Sequence, residues 1–363
     1  MKRINVAEPF LPPLEEYVDY LAGIWERNWL TNQGPLVKEF EKKIQDYHGL
    51  STSVHCVANG ALGLQIALKA LGVKGEVITT PFSYVATTSC PLWEGCTVKF
   101  ADIEPDYLTI DPQAVEAAIS SKTEAILATH VFGNPCDVEA LESIAKKHGL
   151  ALIYDAAHAF GVTYNGKSIL EYGDVSMVSL HATKLMHSVE GGFVVAKDPA
   201  VRTKVEWMRR FGHDGYDAYH GVGINAKMSD FHAAMGLCIL KHFESISNSR
   251  RLLSEAYSAG LPDGIFAFRA RPGATANYSY YPVLFESESI LLEAMRLLSD
   301  CNIYARRYFH PLLHRVEELQ PASFECSVAE SVASRVLCLP MMAIDDVERF
   351  AELTLINLNA VSS

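Results

Sequence analysis

The residues best suited to chemistry are Ser179-Leu180-His181-Ala182-Thr183-Lys184, followed by Glu190-Gly191-Gly192. A lysine belongs on a solvated helix face, because its ammonium is costly to bury. Lys184 instead follows a short apolar run that reads as a buried strand. An amine held at a strand exit, with its charge disfavoured, is suited to condense with a carbonyl as a Schiff base. The second group is Asp155-Ala156-Ala157-His158-Ala159, directly after the apolar Leu152-Ile153-Tyr154. An unpaired carboxylate at that position is costly unless a cation or N–H donor meets it; the competing reading is a helix N-cap. His158, three residues on, is either a site residue or a satisfied core histidine.

These groups need a scaffold, and the sequence describes one. From about residue 54, short apolar runs bounded by turn residues alternate with helical stretches. The runs are Glu76–Thr80, Val98–Ile103, Ala125–Val131, Ala151–Asp155, Val175–Leu180 and Gly192–Ala196. Helices are predicted over Leu14–Arg27, 36–48, Gly60–Leu71, Asp111–Ile119 and Val138–His148. Such alternation implies an α/β fold with a mostly parallel sheet covered on both faces, and ligands at the carboxyl ends of its strands. After about residue 240 the pattern changes to helix Ile239–Ala259, strand Ala276–Glu286, helix Ile290–Cys301 and a closing helix Asp345–Leu358. The expected division is a large domain over residues 1–240, with an N-terminal arm over 1–35, and a small α+β domain over 241–363.

Composition narrows the function classes. The 363 residues are 49% hydrophobic and 20% charged, an ordinary globular balance. A net charge of −12 argues against nucleic acid or an anionic membrane as partner. No apolar run is long enough to span a bilayer and no signal-peptide core is seen near Met1, so a cytoplasmic location is expected. The eight cysteines are scattered without metal-ligand spacing and read as buried thiols; no metal is expected. A dinucleotide-binding dehydrogenase is disfavoured because no Gly-x-Gly-x-x-Gly turn follows the first strand.

Pyridoxal phosphate needs a lysine for its aldehyde, an anion for its ring nitrogen, donors for its phosphate and a flat group against its ring. Lys184 and Asp155 meet the first two demands. Asn59-Gly60-Ala61-Leu62 opens a helix whose first N–H groups face an anion, and Ser179 can add a hydroxyl. Tyr84, in Pro81-Phe82-Ser83-Tyr84, can stack on the ring. A plain glycine turn and a packed core aromatic are the competing readings for Gly60 and Tyr84.

With these segments go Gly34-Pro35, Gly173-Asp174, Gly223-Ile224-Asn225-Ala226-Lys227-Met228-Ser229-Asp230 and Tyr308-Phe309-His310-Pro311-Leu312. Together they resemble the DegT/StrS family of sugar aminotransferases, over nearly the whole chain. The resemblance implies the aspartate aminotransferase fold (type I), with a mostly parallel seven-stranded sheet between helices in the large domain. It implies pyridoxal 5'-phosphate linked to Lys184, passing to pyridoxamine phosphate during turnover, with Asp155 at the ring nitrogen. Tyr84 falls where an aromatic stacks on the ring, and Gly60, Ala61 and Ser179 where the phosphate is held. His158 stands where many members carry Gln. Asn225 matches an asparagine that reaches the phosphate across a homodimer interface. Members that dehydrate sugars carry His at the lysine position, so Lys184 implies transamination. The implied partners are L-glutamate and a dTDP-linked keto-sugar destined for cell-surface polysaccharide. The opening segment and the run Ser179–Lys184 are similar to enzymes that aminate C4 of a 4-keto-6-deoxyhexose; C3 amination and a non-catalytic regulator on the same fold are the alternatives. Arg209, Arg210, Arg306 and Arg307 are candidates for the donor carboxylate or the pyrophosphate.

Overall fold

The computed structural model describes residues 3–319, 325–343 and 346–362. Its main sheet has seven strands: β1 (Val54–Val57), β2 (Glu76–Thr79), β3 (Thr97–Phe100), β4 (Thr123–Thr129), β5 (Ala151–Asp155), β6 (Val175–Ser179) and β7 (Gly192–Ala196), in the order β1-β7-β6-β5-β4-β2-β3. β7 runs antiparallel to both its neighbours, β1 and β6, and every other pairing is parallel. The architecture is therefore the expected α/β one. A parallel pair needs a long crossover, usually helical, whereas an antiparallel pair does not. The β6–β7 connection, residues 180–191, is accordingly free of helix and strand, and it carries Lys184.

Both faces of the sheet are covered, which is why the strands read as continuous apolar runs. Alternate residues of β4 show the split: Ile126 and Ala128 join one buried cluster, Ala125 and Leu127 the other. The first cluster packs against helices α1 (Leu14–Arg27) and α2 (Pro35–Tyr47), through Ile24, Phe40 and Ile44. The second packs against α3 (Gly60–Leu71), through Leu64, Ala67 and Leu68. α3 begins at Asn59, whose side chain accepts from the Leu62 amide at 2.9 Å, and ends at Gly72, whose φ of 79° costs a glycine little. Further along come α4 (Ala86–Trp93), α5 (Pro112–Ala118), α6 (Val138–His148) and α7 (Pro199–Met208). α6 is capped by Asp137 and carries Lys146, Lys147 and His148 in its last turn, where cations complement the helix dipole.

Helix α8 (Asp230–Gly260) starts nine residues before the position the sequence predicts. Gly236 is a poor helix former, but packing overrides propensity. A Cβ on Gly236 would enter the contact shell of the Phe40 ring, so the glycine is what lets α2 and α8 approach. Asp230 is buried at the start of α8 and takes the amides of Leu36 and Val37 at 3.5 and 3.3 Å. The first half of α8 lies in the core of the main sheet, while Leu253 and Tyr257 lie in a separate core.

That second core is built on an antiparallel sheet of β8 (Ile265–Ala267), β9 (Tyr281–Phe285) and β10 (Val336–Leu339), in that order. The helices α9 (Glu288–Asp300) and α11 (Val347–Ser362) flank it, and α10 (Ser327–Arg335) precedes β10. Of the expected strand Ala276–Glu286 only Tyr281–Phe285 is extended, and the sequence reading missed β8 and β10. Periodicity cannot distinguish a four-residue apolar run such as Val336–Leu339 from the end of the helix before it. Asp345, the expected start of the closing helix, lies outside the described residues. Near the N-terminus, Ile4–Asn5 pairs in parallel with Ile303–Tyr304. Seven of the cysteines are buried and Cys301 is half-buried. No helix among the described residues is long and apolar enough to cross a membrane.

Candidate active site

The predicted groups converge at the carboxyl ends of the parallel strands. Asp155 closes β5 and Ser179 closes the adjacent β6, with Asp155 in register with Met177. Gly60 starts α3, and Gly192 at the head of β7 pairs with both Val57 and Ser179. The backbone is drawn tight here. A Cβ on Gly60 would lie 3.0 Å from the Met177 sulfur and 3.2 Å from the Ser179 Cβ; one on Gly192 would lie 3.0 Å from the Gly60 nitrogen. Glycine at both places brings the helix N-terminus down onto the ends of β6 and β7. The first amides of a helix have no intrahelical acceptor, and Asn59 satisfies only that of Leu62. The amides of Gly60 and the exposed Ala61, with the Ser179 hydroxyl beside them, form a cradle suited to a phosphate. Ser179 Oγ accepts a long bond from the His181 amide at 3.4 Å, which leaves its proton free to donate.

Asp155 is 4% exposed, and burial raises its carboxyl above the usual range, opposed by the Ala157 amide and the charge of Lys184. Its Oδ1 accepts from Ala157 N at 2.9 Å, while Oδ2 has no hydrogen-bond partner among the described residues. A half-satisfied buried carboxylate fits the N–H of a protonated pyridine. With the phosphate cradle and the lysine, this donor and acceptor set fits pyridoxal phosphate.

Lys184 sits in a turn held by its own amide to the His181 carbonyl, at 2.8 Å, and by Leu180 N to Gly191 O and Ser188 N to Leu180 O, both at 2.9 Å. Burial lowers its pKa, and the Asp155 carboxylate, Tyr308 and Tyr84 partly restore it. A lowered lysine pKa raises the fraction present as neutral amine, the form that attacks a carbonyl or takes a proton. Its Nζ lies 3.5 Å from the Tyr280 hydroxyl. His158 is buried, and its Nδ1 accepts from the Phe132 amide at 3.1 Å. Burial, reinforced by the Lys184 charge, pushes its pKa far down and keeps the imidazole neutral. The ring is nearly parallel to Phe309, 5.9 Å away at 5°.

Tyr84 lies after β2 and is 61% exposed, free to cover a ligand. Asn225 is exposed, and its side-chain oxygen accepts from Lys227. Its segment runs beside the end of β1, where Ala58 N donates to Ala226 O at 2.8 Å. The structure thus brings Lys184, Asp155, His158, Ser179, Gly60 and Ala61 to one end of the sheet, and leaves Tyr84 and Asn225 exposed.

The structure also corrects two arginines. Arg209 is buried and bonded to Glu41, Glu206 and the Cys56 carbonyl. Arg307 is bonded to Glu288 and to the carbonyls of Ala333 and Ser334. Both serve the fold; of the other two, Arg210 is half-buried with its Nε 3.8 Å from Glu206, and Arg306 is exposed over the Tyr308 ring. Burial would raise the Glu206 carboxyl, but His55, the Arg209 charge and Gln33 bring it to about 2. A depressed carboxyl contributes stability above its unfolded value, near 4.5, that is lost as pH falls toward about 2. Glu206→Gln is therefore expected to lower stability by on the order of 2 kcal/mol at pH 6, with the deficit shrinking by pH 3. Denaturant melts at the two pH values check this; a deficit that does not change with pH would contradict it.

Sequence reasoning missed Tyr280 and Arg250. Tyr280 sits in the stretch Ala276–Glu286, which reads simply as strand, and Arg250 in Ile239–Ala259, which reads simply as helix. No local signal marks either one, because their partners are remote in sequence.

Comparison with known proteins identifies the family. Residues 14–352 match the model of the DegT/DnrJ/EryC1/StrS aminotransferase family. A dTDP-4-amino-4,6-dideoxy-D-glucose transaminase from Shigella dysenteriae is 41% identical over 348 residues, covering 94% of this chain and 95% of the relative. One of the same name from Escherichia coli is 39% identical over 350 residues, covering 94% of each. The crystal structure of DesI, determined in the presence of its TDP-sugar product, superposes with a TM-score of 0.93 at 32% identity, covering 100% of this chain and 94% of DesI. The chain belongs to the DegT/DnrJ/EryC1/StrS aminotransferase family and is a pyridoxal-phosphate-dependent sugar aminotransferase.

Proposed function

We propose that the chain moves an amino group from L-glutamate to C4 of dTDP-4-keto-6-deoxyglucose, giving dTDP-4-amino-4,6-dideoxyglucose. The observation that carries the chemistry is the pairing of Lys184, its pKa lowered by burial, with a buried, half-satisfied Asp155 on the neighbouring strand exit. The acceptor rests on the relative at 41% identity, named for that product.

Bound pyridoxal phosphate supplies an electron sink for a carbanion next to nitrogen. The chain's residues do the rest. Gly60 and Ala61 offer backbone amides to the phosphate, and Ser179 its hydroxyl. Asp155 holds the proton on the ring nitrogen through its free oxygen. Tyr84 covers one face of the ring. Lys184 carries the cofactor in the resting state, and when released moves a proton as general base and then acid. Asn225 reaches the phosphate of a second copy, so the active unit is a homodimer. With the division set at residue 240, within α8, the larger part supplies Lys184 and Asp155, and the smaller part supplies Tyr280 and Tyr308.

The test is to incubate the protein with glutamate and, separately, a 4-keto and a 3-keto dTDP-6-deoxyhexose, and to read the products by mass and NMR. An amine at C4 with formation of 2-oxoglutarate is expected. Amination at C3 would overturn the acceptor, and no amination of either would overturn the function.

A further inference from the structure

Tyr280 is the residue outside the predicted set that touches the reacting amine. Its hydroxyl lies 3.5 Å from Lys184 Nζ, a long hydrogen bond of the kind catalytic groups show without substrate. The ring is packed on three sides, 4.6 Å from His158, 5.7 Å from Phe132 and 5.8 Å from Tyr308 between centroids.

The backbone around Tyr280 is unusually well fixed. Ser279 Oγ donates to the His158 carbonyl at 3.1 Å, and Asn277 Nδ2 donates to the same carbonyl at 2.8 Å and to that of Phe160 at 3.0 Å. Asn277 Oδ1 takes the Ser279 amide at 3.1 Å, and Arg250 donates to the Ser279 carbonyl at 3.2 Å. On the other side, Tyr281 is registered in β9 opposite Leu339. A phenol held from both sides is a fixed point against which a flexible lysine can be set.

Lysine carries four rotatable bonds, and ordering them is costly. We propose that Tyr280 is a positioning residue for Lys184: its phenol oxygen accepts an N–H from the Lys184 ammonium, as in this structure, and holds the nitrogen at the place where the released amine must meet the substrate proton. This rests on the assignment of Lys184 as the proton-moving group.

Burial keeps the Tyr280 phenol protonated to well above the usual range, so it meets the Lys184 ammonium as a neutral acceptor and not as a counter-charge. The other ionisable groups around the pair are Asp155 from β5, Tyr84 after β2, Tyr308, Arg250 from α8, the neutral His158 and Cys338 from β10.

Tyr280→Phe keeps the ring and removes the acceptor. It is expected to lower kcat about ten- to a hundredfold, with KM within about twofold of wild type. A second reading uses the cofactor-free full-length chain: trace acetylation of Lys184 across pH, followed by mass spectrometry. Removing an acceptor for the ammonium should shift the labelling midpoint down by about one pH unit. A kcat and a midpoint both at wild-type values would overturn the proposal, as would a loss of kcat with an unmoved midpoint, which is what lost packing alone gives. Should Tyr280→Phe fail to fold, 4-fluorophenylalanine at 280 fills the place of the hydroxyl with a far weaker acceptor and cannot ionise; a downward shift supports the proposal and an unmoved midpoint overturns it. A wild-type kcat in Tyr280→Phe beside an inactive Lys184→Ala would sink this proposal alone; an active Lys184→Ala would sink the reading beneath it.

Discussion

Lys184→Ala is expected to lower transamination by at least about a thousandfold, because under the proposed function it removes both the amine that carries the cofactor and the base that moves the proton. The substitution leaves the β6–β7 connection intact, since that turn is held by backbone bonds of residues 180, 184, 188 and 191. The variant should therefore fold and still take up the cofactor without covalent attachment. Lys184→Arg separates the two properties of the side chain. It keeps a positive charge near Asp155, but a guanidinium with a pKa above 12 offers no neutral amine. Both variants are expected to be equally inactive in a glutamate-to-keto-sugar assay. An active Lys184→Arg would show that charge, not the amine, is what matters at this position.

Asp155→Asn has the second largest expected effect, and it acts in opposite directions on activity and stability. The amide oxygen of Asn can still accept from the Ala157 amide, so the local turn survives. What is lost is the negative charge that the proposed function sets beside the ring nitrogen. Breaking a buried ion pair costs about 3–5 kcal/mol, which corresponds to a fall in turnover of roughly a hundred- to several-thousandfold. In the cofactor-free protein the sign reverses. The folded-state pKa of Asp155 is raised by burial, so the folded protein resists its ionisation. Stability is reduced as pH rises from the unfolded value, near 3.8, through the raised folded one, and the full cost is present at higher pH. Asp155→Asn removes that cost. The cofactor-free variant should melt above the cofactor-free wild type at neutral pH, and gain less on addition of cofactor. Thermal melts with and without pyridoxal phosphate check both signs. A variant that melts lower in the cofactor-free state would mean that the Lys184 ammonium already satisfies the carboxylate.

The positions of Lys184, Asp155 and Ser179 were legible in the sequence for a local reason. Each ends or closely follows a short apolar run, and a polar group there has few structural explanations. Six of the seven strands of the main sheet were legible in the same way, because strands buried on both faces leave continuous apolar runs; the count of seven came with the family resemblance. The rest depends on distant contacts. Tyr280 reaches Lys184 across 96 residues of sequence. Arg209 reads as a surface residue beside Arg210, yet it is buried against Glu41, 168 residues away. Charge pattern along the chain carries no trace of such pairings. The start of α8 was missed for a packing reason: Gly236 weakens the helix locally but admits the Phe40 ring, so the stabilising contact lies on another element.

The central claim, that Lys184 carries the cofactor, is tested most directly by reducing the resting holoenzyme with borohydride, digesting it and mapping the added pyridoxyl mass. The account predicts a single modified residue, Lys184. A modification on any other lysine, or none after reduction of a fully active sample, would contradict it.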